Sequence, residues 1–189
     1  MPTTNKKAAS DGIQSLTDLF TLLGESRPED GSINVYRGHP DKTYILQPSL
    51  FRKKDHRRVE KDILRELITI QPTEFRDDKT AFEQLVRMQH YGLPTRLLDL
   101  TYNPLVGLYF VCWKDREKDG EFLRFALRKS SIRYFDSDTV SCVANLSNLT
   151  GGQRNEIRSL ADSAVLNNSE VGERLLHFIK AEKPSLLSG

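Results

Sequence analysis

The sequence predicts an α+β fold: about six helices around a small mixed sheet of short strands, with a buried central helix over 104–113. Three observations lead there. Several stretches repeat apolar residues at i, i+3, i+4, the period of a helix with one buried face. The strand-like stretches are short and scattered, which excludes a doubly wound parallel sheet. Finally, from Leu105 to Trp113 no residue is charged, amide-bearing or hydroxylic apart from Tyr109. That run is too short to cross a bilayer, which takes about 20 residues. The reading is therefore a helix covered nearly all round by protein.

The elements follow in order. Residues 1–9 are expected to be disordered, 10–184 to form a single domain and 185–189 to lack structure. Ile13, Leu16, Leu19, Phe20 and Leu23 have helical spacing, with Ser10 or Asp11 as cap and Gly24 as stop. Asn34 to His39 reads as a short strand ending at Gly38, and Tyr44 to Leu46 as a second. The basic run Arg52 to Arg58 reads as a solvated helix start, because no aromatic residue interleaves with it. Val59, Ile63, Leu67 and Ile70 then mark an amphipathic helix. Phe82, Leu85 and Val86 mark another, whose next stripe position is Gln89. Gly92 stops that helix at the position where a left-handed residue is favoured, and Pro94 prevents its resumption. Thr95 to Leu100 is extended chain. Asn103 is an N-cap with Pro104 in the first helical position. Leu123, Phe125 and Leu127 alternate with polar neighbours as a strand does. Ile132 to Phe135 and Thr139 to Ala144 are further strand candidates. Gly151-Gly152 marks a break. One helix is expected through Ile157, Leu160, Ala161, Ala164 and Val165, and another through Val171, Leu175, Phe178 and Ile179, ending at Glu182-Lys183-Pro184.

Composition excludes several functional classes. Lys and Arg number 28 against 26 Asp and Glu, and the resulting charge of +2 does not indicate nucleic acid. The two cysteines, Cys112 and Cys142, form neither a disulfide framework nor a metal cluster, and Cys112 is expected to be a structural thiol. The four histidines, 39, 56, 90 and 177, are dispersed, so no metal site is predicted and nuclease chemistry fits poorly. The polar start, with Lys6-Lys7 and no apolar h-region, predicts no signal peptide, no membrane partner and a cytoplasmic location.

Polar groups are densest from Met88 to Pro104: Gln89, His90, Thr95, Arg96, Asp99 and Thr101. Gln89 puts an amide where the stripe asks for an apolar side chain. A buried amide without partners costs about 1–3 kcal/mol, so Gln89 is either a core glutamine bonded to neighbouring backbone or a wall of a binding site. The N-terminus of the 104–113 helix, with Arg96 near it in sequence, is a potential anion site. Arg37 is either an ordinary surface arginine or a functional one, with Gly38 allowing a ligand or another backbone to approach closely.

Four stretches together carry a resemblance: Tyr36-Arg37-Gly38; Leu46-Gln47-Pro48-Ser49-Leu50-Phe51-Arg52; Gln89 through Asp99 (QHYGLPTRLLD); and Asn103-Pro104-Leu105. This pattern resembles the FRG domain, named for its (Phe/Tyr)-Arg-Gly motif, over roughly 33–184. The family is widespread in bacteria and mobile elements and is generally described as of unknown function. In one respect the chain departs from it. The family pattern continues past the Glu-Lys-Pro stretch into an Arg-Ile-x-x-Gln-x-Gly-x-Phe-like strand, whereas this sequence ends at Gly189. The expectation is a truncated or split member.

Two functional readings of different class result. In the first, the chain is a nucleotide-binding, ADP-ribosyltransferase-like module that takes NAD. Arg37, Gly38, Gln89, Thr95 and Arg96 would bind the ligand, the arginines forking onto phosphate oxygens. His90 and Asp99 would be catalytic, Asp99 as general base or as the group orienting His90. Such chemistry also wants a glutamate on a late strand; Glu121 and Glu156 are positional options, and neither is assigned. Against this stands a structural role, a buried Arg96–Asp99 ion pair locking the loop with Thr95 and Thr101 bonding backbone. In the second reading, the chain is a non-catalytic recognition module of a bacterial or phage defence or toxin system, binding a ligand or partner protein without turnover.

Overall fold

The computed structural model describes residues 12–114, 117–160, 165–166 and 168–184; the expectations for the two termini, and for Ala161 and Ala164, lie outside the described residues. The α+β class stands. Among the described residues are seven α-helices and one two-stranded antiparallel sheet. The chain divides into two compact units, Met1–Ile45 with Asp99–Ile132, and Leu46–Leu98 with Arg133–Gly189.

The first unit contains α1 (Leu16–Glu25), β1 (Ser32–His39), a helix Pro104–Cys112 and the strand β2 (Glu121–Arg128). Helix α1 starts later than the sequence suggests, at a complete capping box between Ser15 and Asp18. The strands pair from Ser32 opposite Arg128 to His39 opposite Glu121. Thr101 bridges Tyr36 on the other edge of β1 through two backbone bonds of 2.7 and 2.9 Å. Alternation puts Tyr36 and Gly38 on one face of β1 and Arg37 and His39 on the other.

Pro104–Cys112 packs on the Tyr36/Gly38 face. A Cβ on Gly38 would collide with the Gly107 carbonyl oxygen and lie 2.6 Å from the Val111 nitrogen. A Cβ on Gly107 would meet Phe122 at 3.0 Å and Tyr36 at 3.1 Å. Of the two options for Gly38, close approach by another backbone is the one observed. The cap predicted at Asn103-Pro104 is present: Asn103 Oδ1 accepts from the Leu105 N–H at 2.9 Å.

The expectation of a helix buried nearly all round is overturned. Within Pro104–Cys112 only Gly107 is buried. Leu105, Val106, Tyr109 and Phe110 are exposed, as are Cys112 at the helix end and Trp113 just beyond. Tyr109, Phe110 and Trp113 instead pack on each other, with ring centroids 5.2–5.8 Å apart. An apolar sequence states what a helix would gain from cover, not that this chain supplies the cover.

The second unit contains α2 (Lys54–Ile70), α3 (Ala81–His90), α5 (Asp138–Asn145), α6 (Gly151–Ser159) and α7 (Glu170–Glu182), with Pro104–Cys112 taken as α4. Its core joins Leu64, Ala81, Leu85, Met88 and Ala144, with Ile63, Leu67, Ile68, Phe82, Leu93 and Leu97 against them. The buried face of α2 carries Glu60 and Leu64, one position round from the predicted stripe, leaving Val59 and Ile70 exposed. Helix α3 ends as predicted. Gly92 has φ 74°, its N–H bonds the Gln89 carbonyl at 2.9 Å, and the Leu93 N–H bonds the Met88 carbonyl at 3.2 Å, a complete Schellman pair.

The other differences have local causes. Thr139 to Ala144 is helical rather than a strand, because Ser137 caps the Val140 N–H and Asp138 sits in the first turn. Gly151-Gly152 opens α6 instead of breaking the chain, under a capping box of Thr150 and Gln153. Tyr44 to Leu46 and Ile132 to Phe135 are not strands.

Candidate functional site

The polar motif splits between the two units after Leu98. In the second unit its side chains hold the fold. Thr95 is fully buried. Its hydroxyl donates to Gln89 Oε1 and accepts from the Leu97 N–H at 3.3 Å. Its backbone N–H donates to Ser49 Oγ at 3.1 Å, and its carbonyl accepts from the Leu50 N–H at 3.1 Å. The Gln89 amide in the apolar stripe is thus answered by a buried threonine six residues later.

Arg96 forks onto Glu60, Nε to Oε1 at 2.8 Å and Nη2 to Oε2 at 2.6 Å. Glu60 is 0% exposed, and Arg154 adds a second cation 3.2 Å from its Oε2. The carboxylate that locks this loop is therefore Glu60, where the sequence suggested Asp99. Arg154 also donates to the carbonyls of Arg57, Leu146 and Leu149. Burial pushes its guanidinium pKa down, against the attraction of Glu60. His90 is exposed at the last position of α3.

In the first unit, Arg37 is half-buried on β1. Its Nη1 donates to the Asp99 carbonyl at 2.7 Å and its Nε to His39 Nε2 at 3.2 Å. The Asp99 carbonyl is thus one partner of Arg37. His39 is 2% exposed, and its Nδ1 lies 3.6 Å from Glu121 Oε2 on β2. One face of the sheet thus lines up a guanidinium, an imidazole and a carboxylate. Beside them, Asp41 is buried; Lys118 Nζ at 2.7 Å, and then Thr43 through its hydroxyl and N–H, hold its carboxyl well below the ordinary range.

The N-terminus of α4 is not an open anion site. The N–H groups of Leu105, Val106 and Gly107 all go to Asn103, to its side chain or its carbonyl. Glu156, the other positional option for a glutamate, is exposed on α6 of the second unit.

Sequence reasoning missed His39 and Glu60. His39 had a signal: on a strand it shares a face with Arg37 two residues earlier. Glu60 had one too, standing four residues before Leu64 on one side of a helix.

The family model of the FRG domain matches residues 32–120. That stretch begins with β1 and includes both the Arg37 cluster's first strand and the Gln89–Asp99 motif, so the chain carries an FRG domain. No curated protein and no solved structure matches the chain. Among the described residues, no group of three or more His, Cys, Asp and Glu is arranged to hold a metal ion, and no helix is long and apolar enough to cross a membrane.

Proposed function

We propose that the FRG stretch binds a nucleotide or another phosphate-bearing ligand through Arg37, with NAD as the ligand of an ADP-ribosyltransferase-like module. The observation that supports this is how Arg37 is held. Among its acceptors are a carbonyl oxygen and an imidazole nitrogen. They orient the guanidinium fork, as a phosphate-binding arginine requires. Of the two glutamates weighed for a transferase, Glu121 is the one on the strand paired with β1. Gln89, Thr95 and Arg96 hold the fold of the second unit in this reading and are not assigned to the ligand.

The test is a thermal-shift titration of wild type and Arg37→Lys with NAD, ADP-ribose and ATP. The lysine keeps the charge and loses the fork. A ligand at about 100 times its Kd stabilises the native state by about 2.7 kcal/mol, a rise of several degrees in Tm. The expected result is such a rise in wild type and its loss in Arg37→Lys. No rise with any nucleotide, in protein shown to be folded, overturns the reading.

The exposed apolar side of α4 favours a second reading. Leu105, Val106, Tyr109, Phe110 and Trp113 form the kind of surface that partner-binding proteins expose. On this reading the chain is a non-catalytic recognition module engaging a partner protein, and nucleotides leave its Tm unchanged.

A further inference from the structure

The Arg37 cluster is built in depth. Register places His39 directly opposite Glu121. Arginine only donates hydrogen bonds, so His39 Nε2, which receives the Arg37 Nε–H at 3.2 Å, is the bare nitrogen of the ring. The ring hydrogen is then on Nδ1, the nitrogen facing the Glu121 carboxylate at 3.6 Å. That separation is too long for a hydrogen bond, so the carboxylate acts on Nδ1–H by charge. The second hold on Arg37, the Asp99 carbonyl, is itself fixed, because Thr101 two residues later is bridged to Tyr36.

We propose that His39 and Glu121 are positioning residues for Arg37: Glu121 fixes the His39 tautomer, and His39 fixes the plane of the guanidinium that receives the phosphates of an ADP-ribose-class ligand. The inference rests on the phosphate-binding role of Arg37. His39 is not a general base here, since it is almost fully buried and its Nε2 already accepts from Arg37. Its effect on a ligand runs through the arginine. A guanidinium held in its bound orientation loses less freedom when the ligand arrives. Glu121 stands one step further back, as a carboxylate behind a metal-bound histidine does.

The experiment combines ring 15N NMR of the full chain at neutral pH with calorimetric titration of ADP-ribose. In wild type, the His39 ring is expected to carry its hydrogen on Nδ1. In Glu121→Gln it should drift toward a mixture of tautomers, and ADP-ribose affinity should fall about tenfold, the size seen when an outer-shell partner is removed. His39→Gln, whose carbonyl oxygen can still accept from Arg37, should keep more affinity than His39→Leu. A plain cross-strand stabiliser would lower Tm in Glu121→Gln and leave both the tautomer and the affinity as in wild type; that result overturns the proposal. So does a wild-type ring protonated on Nε2, whatever the ligand. If the ring shows the expected tautomer and its loss in Glu121→Gln, but wild type ignores ADP-ribose, the ligand reading fails and the positioning chain is supported by the ring alone.

Discussion

Arg37 and Arg96 belong to the same family match, yet they are held in opposite ways. Arg96 lies in the helical unit with its fork on the fully buried carboxylate of Glu60, and Arg154 completes the cluster. Arg37 lies in the sheet unit on a carbonyl oxygen and an imidazole. The difference teaches which of two arginines in a motif to suspect of binding: the one aimed by a carbonyl oxygen and an imidazole on a strand, rather than the one forked onto a buried carboxylate.

Removing Arg96 should give the largest effect. Arg96→Ala leaves a buried carboxylate facing only Arg154, and breaking a buried pair costs about 3–5 kcal/mol. Urea denaturation at neutral pH measures it. Arg37→Lys is the counterpart and should cost less, about 1–3 kcal/mol, the scale of leaving the buried His39 Nε2 without its donor. If the two substitutions cost the same, the contrast between a structural and a binding arginine collapses.

The next effect sharpens the account of the helical unit. Thr95→Val removes the hydroxyl that serves both Gln89 and the Leu97 N–H. The half-buried Gln89 oxygen and the Leu97 N–H left without the hydroxyl should cost about 1–3 kcal/mol. Adding Gln89→Leu should recover part of that loss, because apolar replacement of both partners is nearly neutral. A double variant as unstable as the sum of the singles would show that Gln89 has a role outside this pair.

Local signals carried most of what the sequence revealed. Gly92 ending α3 and Asn103-Pro104 starting α4 depend on backbone geometry within four residues, and both were legible. The partner of Arg96 was not, because Glu60 is 36 residues away and only the packing of α2 turns it inward. Val140 and Cys142 alternate as a strand would, but one serine at 137 supplied the helix cap that decided the outcome. The central apolar segment misled for a different reason. Its helical form and its cap were readable, while its cover depends on what the rest of the chain brings to it. In the candidate site, the Tyr-Arg-Gly motif pointed to Arg37. The pairing of His39 with Glu121 became visible only once the strand register set them side by side.

The smallest effect concerns pH and tests the sheet unit alone. Asp41, two residues after His39, has a folded pKa held below its ordinary value of 3.8, first by Lys118 and then by Thr43. A carboxylate with a depressed folded pKa binds fewer protons when native than when unfolded. Its contribution to stability is therefore complete above the ordinary value and is lost as pH falls below it toward the folded pKa. Wild-type Tm should stay level with respect to this group from neutral pH down to about pH 5 and then decline. Asp41→Asn should start lower at neutral pH and decline less, because the group that titrates is gone. Parallel acid limbs in the two proteins would mean that Lys118 contributes nothing to Asp41 beyond what solvent gives. The loop after His39 would then be tied by the Thr43 bonds, which a neutral asparagine can also make.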